Sequence, residues 1–234
     1  MSSPGSTSKT EHASTPPARR VFVGLTGASG HAYGRALLVA LTEAHYSVDL
    51  ALSSAGAKVL LHEQGVATLE DGRIAPQVLS RWLGEKAASN IRVWGREDVG
   101  APPASGTAQG AAVIICPCSM GTLARVAAGF SSNLVERAAD VAIKERRRLI
   151  LVPREAPLSE IHLENMLRLS RLGATIVPAS PGFYHLPTSL DDLVEHLVSK
   201  ILDAAGIERV SAIRWAGLPT EPPAEPGTTR EEPS

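Results

Sequence analysis

The chain has 234 residues, of which 44% are hydrophobic and 20% are charged, as expected for a globular domain with a sizeable core. Its formal net charge of -1 at pH 7 gives no global field that would attract nucleic acid or an anionic membrane, so neither is a predicted partner. Any anion therefore has to be bound by a local cluster. No apolar run approaches the ~18 residues of a membrane span, and we expect a cytoplasmic protein.

The two cysteines, Cys116 and Cys118, form a single C-P-C sequence. They lie too close together to cross-link a fold, and no second Cys/His pair stands nearby to complete a zinc site. We expect no metal site and interpret both as small buried hydrophobic residues in a reducing compartment.

Residues 1–19 are rich in Ser, Thr and Pro, and residues 217–234 are rich in Pro and Glu, so both are predicted to be disordered extensions of one domain at 20–216. Strands are predicted at 21–25, 48–52, 111–116, 149–152 and 174–177. Helices are predicted at 31–44, 55–62, 76–83, 134–147, 159–172 and 190–204. This alternation favours a parallel sheet covered on both faces, with ligands bound where the strands end.

Residues 26–30, Thr-Gly-Ala-Ser-Gly, form a turn between the first predicted strand and the first helix. Glycine lets the backbone approach a ligand, and the free N–H groups of a helix start attract anions. The turn is neither a P-loop nor the G-x-G-x-x-G fingerprint. Ser53 follows the second strand, where a dinucleotide fold would place an acid for the ribose hydroxyls. The pattern favours FMN over NAD, although turn geometry alone would also explain the glycines.

Residues 119–122, Ser-Met-Gly-Thr, repeat this arrangement after the strand at 111–116. Simple helix capping would explain one such turn. Two turns of this kind at neighbouring strand ends indicate an anion site more strongly than either does alone.

The predicted helix at 134–147 carries cations on one face. Asn133 is its predicted N-cap, and Glu136 three residues later completes a capping-box pattern. Arg137 and Lys144 are seven residues apart and therefore lie ~10 Å from each other along nearly the same face. Arg137 lies among apolar residues, which favours a functional role, whereas we interpret residues 146–148 as a solvated basic stretch.

Arg154 and Glu155 follow the strand at 149–152, and neighbours in extended chain point to opposite sides. Glu155 has two open interpretations: a carboxylic acid that transfers protons beside a bound phosphate, or a structural ion pair with Arg146 or Arg147. Tyr184, in a turn, and Lys200, within a helix, are not informative by themselves.

Six longer segments closely resemble the UbiX-type flavin prenyltransferases, formerly described as 3-octaprenyl-4-hydroxybenzoate carboxy-lyases. These segments are TGASG at 26–30, CPCSMGT at 116–122, ERAADVAIKERR at 136–147, LVPREAPL at 151–158, HLENM at 162–166 and PASPGFYHLP at 178–187. The resemblance covers residues 20–215 and keeps the order of the motifs.

This resemblance implies a flavodoxin-like or Rossmann-like doubly wound parallel sheet in three α/β/α layers, and a homo-oligomer that is dodecameric in the family. It also implies a metal-independent reaction that joins the dimethylallyl group of dimethylallyl phosphate to reduced FMN at N5 and C6. The product, prenylated FMN, is the cofactor of UbiD-type decarboxylases, which makes such an enzyme the expected partner.

The resemblance further implies roles for individual residues. FMN is expected to be held by Gly27, Ala28, Ser29, Ser53, Ser119, Met120, Gly121, Thr122 and Arg137. The substrate phosphate is expected to be surrounded by Lys144, Arg154, Tyr184 and Lys200, with Ser29 in reach. Glu155 is expected to manage protons, and Trp215 is similar to a late aromatic residue near the family's site. We expect the Arg154–Glu155 pair to face two different sites, so that sites are shared between subunits.

Two alternatives remain open. One is a flavin-dependent cysteine decarboxylase of the same fold, but such enzymes carry an Asn-containing motif of the P-A-S-A-N-T type where this chain has C-P-C-S-M-G-T, and His62 lacks the context of their catalytic histidine. The other is a non-catalytic FMN carrier, which would not need the second group of cations and the acid at 155.

Overall fold

Six parallel strands form one sheet in the computed structural model, which describes residues 19–106 and 110–208. The strands are β1 Arg20–Leu25, β2 Ser47–Leu52, β3 Ile91–Val93, β4 Ala112–Cys118, β5 Leu149–Pro153 and β6 Thr175–Ile176. Their order is β3-β2-β1-β4-β5-β6. Without the three-residue edge strand β3, this is the flavodoxin-like order, and with it the order matches the classic dinucleotide-binding fold.

Eight α-helices occur within the described ranges. They are α1 His31–Glu43, α2 Ser54–Gln64, α3 Pro76–Leu83, α4 Glu85–Ala88, α5 Met120–Ala127, α6 Leu134–Lys144, α7 Glu160–Arg171 and α8 Leu190–Ala205. Two hydrophobic clusters place them in layers: residues of α1 to α4 and α8 pack on one face of the sheet, and residues of α5, α6 and α7 pack on the other. This confirms the predicted three-layer α/β/α architecture. In the described part of the chain, no helix is both long and apolar enough to cross a membrane.

Most predicted elements are confirmed to within a few residues, and the differences lie where the pattern is least regular. The short strand β3 and helix α4 were not predicted. Helix α6 ends at Lys144 rather than at residue 147, because Arg146 adopts a left-handed φ of 52° that stops the helix. The arginines that follow are not simply solvated: Arg147 donates to the Gly106 carbonyl, and Arg148 donates to the Ala205 carbonyl at 3.1 Å.

The two edges of the sheet lie at opposite ends of α6. At the carboxyl edge, where the strands end, the Leu134 N–H at the start of α6 donates to the carbonyl of Arg96, just beyond β3. At the amino edge, where the strands begin, Arg147 beyond the end of α6 reaches Gly106 in the segment before β4. Residues early in α6 therefore lie near the predicted ligand edge, and residues at its end lie far from it.

Candidate functional site

Thr26 joins the two predicted anion-binding turns at the carboxyl edge. Its hydroxyl donates to the Pro117 carbonyl at 2.8 Å and accepts from the Ser119 N–H at 2.7 Å. The residue is fully buried, so both hydrogen bonds are shielded from water. The turns that follow β1 and β4 therefore lie side by side, as the sequence predicted.

The first turn is built by close backbone approach. A Cβ at Gly27 would lie 2.6 Å from the Cβ of Ala55, so glycine is required there. Gly30 adopts a φ of 110°, a conformation that favours glycine, immediately before α1. Ala28 is buried and Ser29 is exposed at this turn.

Glu63, at the end of α2, occupies the start of α1. Its carboxylate accepts hydrogen bonds from the N–H of Gly30 at 3.1 Å and of His31 at 2.9 Å. Burial by itself would raise the pKa of Glu63, but hydrogen bonds from the Ser29 side chain and from the His31 and Gly30 N–H groups outweigh it and lower the pKa. The sequence analysis missed this residue, because nothing local relates Glu63 to a turn more than thirty residues earlier.

The hydroxyls that follow β2 and β4 cap helices, which was one interpretation of the Ser119 turn and was not predicted for Ser53. Ser53 is buried and accepts from the Gly56 N–H at 3.0 Å. Ser119 accepts from the Thr122 N–H at 3.3 Å, and its hydroxyl lies 3.1 Å from the Thr122 hydroxyl. In the first turn of α5, Met120 is buried and Gly121 is exposed. Because the first N–H groups of a helix have no partner inside it, this turn provides donors to an anion.

Glu136 does not complete the predicted capping box, and this interpretation was wrong. Asn133 does accept from the Glu136 N–H at 3.1 Å, but the Glu136 carboxylate accepts instead from the Ser132 N–H at 2.9 Å and pairs with Arg125. Glu136 is fully buried, and the guanidinium of Arg125 is its compensating charge. Because Arg125 lies in α5, this ion pair joins the two helices and fixes the start of α6 beside the second turn.

Arg137 lies in the first turns of α6, near the carboxyl edge. Its side chain is 41% exposed and pairs with Asp140 at 3.0 Å. Since an exposed ion pair of this kind contributes only ~0–1 kcal/mol, it does not prevent the guanidinium from binding a ligand.

Arg154 and Glu155 leave the end of β5 with different contacts. The Arg154 Nε donates to the Ser29 carbonyl at 3.4 Å, which brings this cation to the first turn. Glu155 is exposed, and its carboxylate accepts from the N–H of Ala156 at 3.1 Å. The alternative ion pair with Arg146 or Arg147 is not formed in this structure, because both arginines follow the end of α6 at the amino edge.

Lys144 is not brought to the other predicted phosphate ligands. It lies at the amino end of the sheet, is 61% exposed, and pairs with Glu145 at 3.0 Å. A strand rises about 3.3 Å per residue, so the length of β5 alone separates the two edges by roughly 15 Å. Lys144 therefore cannot reach Arg154 within one copy of the chain.

Tyr184 and Lys200 lie together on the outer side of α8. Both are exposed, and both lie near His196. The Tyr184 ring centroid is 6.3 Å from that of His196. The pKa of His196 is lowered by burial, then by His185 and then by Lys200. A Cβ at Gly182 would lie 2.9 Å from the Tyr184 ring, so the ring folds against the glycine backbone. Trp215 lies outside the described residues.

The cysteines beside the second turn do not offer a reactive thiolate. Burial raises the pKa of Cys118 to about 12, and burial together with Cys118 raises the pKa of Cys116 further. Both remain protonated thiols at neutral pH, in agreement with their interpretation as small core residues.

Comparison with known proteins agrees with this geometry. A family model described as Flavoprotein matches residues 9–202. The flavin prenyltransferase UbiX of Pseudomonas aeruginosa is 50% identical over 196 residues, which cover 84% of this chain and 93% of the relative. The chain belongs to the UbiX-type flavin prenyltransferases. The fold and the order of motifs are thus those of this family, as the resemblance predicted.

Two solved UbiX-type structures match the fold closely. AnUbiX (PadA1), in complex with FMN and dimethylallyl pyrophosphate, superposes with a TM-score of 0.74 at 36% identity, covering 85% of this chain and 98% of that chain. A dodecameric FMN-dependent UbiX-like decarboxylase from Escherichia coli O157:H7 has a TM-score of 0.73 at 40% identity, covering 85% of this chain and all 100% of that one.

Proposed function

We propose that the chain joins the dimethylallyl group of dimethylallyl phosphate to reduced FMN, at N5 and C6, and so makes prenylated FMN. The observation that carries this proposal is the pair of turns joined by Thr26, with Arg154 held against the first of them. One anion site in the turns fits the FMN phosphate, and the adjoining cation fits the phosphate of a second substrate.

The residues present fit FMN. The first N–H groups of α5 and the hydroxyls beside them suit a phosphate, and the glycine turn at 26–30 allows a flat ring to approach the backbone. FMN would be held by Gly27, Ala28, Ser29, Ser53, Ser119, Met120, Gly121, Thr122 and Arg137. When bound and reduced, the flavin supplies the nucleophilic positions that accept the prenyl group.

The chain's own charged groups act on the leaving phosphate and on protons. Arg154, Lys144 and Lys200 provide positive charge where negative charge develops on the departing phosphate, the role that a metal has in other prenyl-transferring enzymes. Tyr184 adds a hydroxyl donor. Glu155, next to Arg154, is positioned to carry a proton between the released phosphate and the reacting centre.

We infer that each site is shared between copies of the chain. Lys144 lies at the amino edge, roughly 15 Å or more from Arg154 at the carboxyl edge, so one copy does not unite them. The dodecameric relative from Escherichia coli supports an assembly that would bring the amino edge of one copy to the carboxyl edge of another. We propose the same kind of assembly here.

The deciding experiment is incubation of the purified protein with reduced FMN and dimethylallyl phosphate, followed by mass spectrometry of the released flavin. A mass increase by one dimethylallyl group is the expected result, and dimethylallyl diphosphate tested in parallel identifies the preferred donor. Unmodified flavin would favour a non-catalytic FMN carrier. In a separate sample that contains a peptide with a C-terminal cysteine and oxidised FMN as the electron acceptor, release of carbon dioxide would favour the cysteine decarboxylase.

We further propose that the product is passed to a UbiD-type decarboxylase and that the reaction takes place in the cytoplasm. The product supports the proposed transfer to a decarboxylase, because prenylated FMN acts as a cofactor only in an enzyme that binds it. Activation of an apo decarboxylase by the purified reaction product tests it directly. The cytoplasmic location stays a prediction from composition.

A further inference from the structure

Two histidines lie directly beside Tyr184 and Lys200. His185 follows Tyr184 in the loop before α8, and His196 precedes Lys200 by one helical turn. The rings of His185 and His196 are stacked, with centroids 4.5 Å apart and planes within 10°. The Tyr184 ring meets His196 edge-on, at an interplanar angle of 76°. His196 thus contacts both consecutive aromatic residues of the loop.

The stack attaches an otherwise exposed loop to a helix. Phe183 is 65% exposed and Leu186 is 79% exposed, and Leu186 adopts a left-handed φ of 53° that a leucine rarely takes. Both ring nitrogens of His185 are buried and have no hydrogen-bond partner among residues 19–106 and 110–208. His185 is therefore held by ring packing rather than by polar contacts.

We propose that His196 is a positioning residue for the substrate-phosphate subsite: it packs against His185 and Tyr184 so that the Tyr184 hydroxyl and the Lys200 ammonium face the same phosphate. This inference rests on the proposed function, which assigns Tyr184 and Lys200 to that phosphate. Lys200 is fixed by the backbone of α8, whereas Tyr184 depends on its loop. The ring of His196 connects the two.

The contact depends on the shape of the ring rather than on its charge. Burial, followed by the neighbouring His185 and Lys200, lowers the pKa of His196 below its ordinary value of 6.5, which favours the neutral ring at pH 7. A neutral imidazole stacks as an aromatic plate and does not repel Lys200. Phenylalanine at this position should therefore preserve the function, and alanine should not.

The test compares His196→Ala, His196→Phe and the control Asp203→Asn, an exposed change on the same helix. Steady-state kinetics with reduced FMN give KM and kcat. Calorimetry on the enzyme loaded with oxidised FMN, which is not a prenyl acceptor, gives the Kd of dimethylallyl phosphate without turnover. His196→Ala should raise both KM and Kd about three- to tenfold, as loss of an aromatic contact would, with kcat within about twofold and FMN affinity unchanged.

His196→Phe and Asp203→Asn should both stay within about twofold of wild type in these measurements. The inference is overturned if His196→Ala binds dimethylallyl phosphate normally, if His196→Phe is as weak as His196→Ala, or if FMN affinity falls in parallel. A wild-type protein that forms no prenylated FMN would refute the proposed reaction separately. In that case the calorimetric comparison still decides whether His196 positions a phosphate ligand.

Discussion

The carboxyl-edge turns and the outer phosphate ligands differ in how they are held. The turns at 26–30 and 119–122 are joined by a buried threonine, and the helices that follow them begin at the Glu63 carboxylate and the Ser119 hydroxyl, all within one copy of the chain. Lys144, Tyr184 and Lys200 are exposed, and Lys144 lies on a different surface from Tyr184 and Lys200. This contrast suggests that one copy alone can form most of the FMN site, whereas the second substrate's site depends on side chains that assembly brings together.

Glu155→Gln should have the largest effect, because it changes chemistry and leaves the turns intact. Removing a positioned acid–base group slows a reaction by ~10²–10⁴-fold, whereas removing an exposed structural contact costs ~0–1 kcal/mol of stability. Single-turnover formation of prenylated FMN should be measured with FMN occupancy checked in each sample. Glu160→Gln, an exposed change at the start of α7, is the control. A Glu155 variant within about threefold of wild type would leave the carboxylate without a catalytic role.

Lys144→Ala tests whether the outer ligands come from different copies. Alone, it should lose most prenylation while keeping FMN bound. Co-expressed with Glu155→Gln, it should regain about a quarter of wild-type activity, since random pairing in a symmetric assembly gives one site in four both intact residues. The measurement is turnover per FMN in hetero-oligomers purified through two tags. Activity no higher than that of either parent would mean that one copy supplies both residues.

Local signals in the sequence predicted most of the fold and the two neighbouring turns at the carboxyl edge. Asn133 was predicted as a cap, and capping was one interpretation of Ser119, because a cap and its N–H partner are three residues apart. The early end of α6 was not predictable, since a left-handed Arg146 is not marked by its residue type. Glu63 was missed because its contact with the start of α1 depends on how α1 and α2 pack.

The position of Lys144 within one copy follows from the order of the elements rather than from its motif, and its role as a phosphate ligand stays a prediction. Its residue type and motif indicated a phosphate ligand, but the helix that precedes a parallel strand runs back from the carboxyl edge to the amino edge. Lys144 at the end of α6 therefore had to lie far from Arg154 at the end of β5. The alternation of strands and helices therefore predicts that Lys144 lies at the amino edge, whereas its spacing from Arg137 along the helix does not.

Thr26→Val should weaken the turns themselves. The valine keeps the shape of the side chain but leaves the Ser119 N–H without its partner, while the Pro117 carbonyl keeps only the Thr26 N–H as donor; the cost is about 1–3 kcal/mol. Urea unfolding of the FMN-free protein should show the loss, and FMN affinity should fall with it. Thr42→Val is the matched control, because the buried Thr42 hydroxyl bonds only locally in α1, to Val39. Equal effects of the two variants would contradict the linking role.

Glu63→Gln should have the smallest effect, and the effect should depend on pH. The folded-state pKa of Glu63 lies below its ordinary value of 4.5, because hydrogen bonds from Ser29, His31 and Gly30 outweigh the opposing effect of burial. The ionised carboxylate therefore contributes stability that is fully present above pH 4.5 and is lost as the pH falls through the lowered folded-state pKa. A carboxylate at a helix start contributes about 0.3–1 kcal/mol. The difference in unfolding free energy between wild type and Glu63→Gln should thus shrink as the pH falls from about 6 to about 3, whereas Glu164→Gln, exposed on α7, should show no such trend. A difference that stays constant across this range would mean that the Glu63 charge does not stabilise the turn.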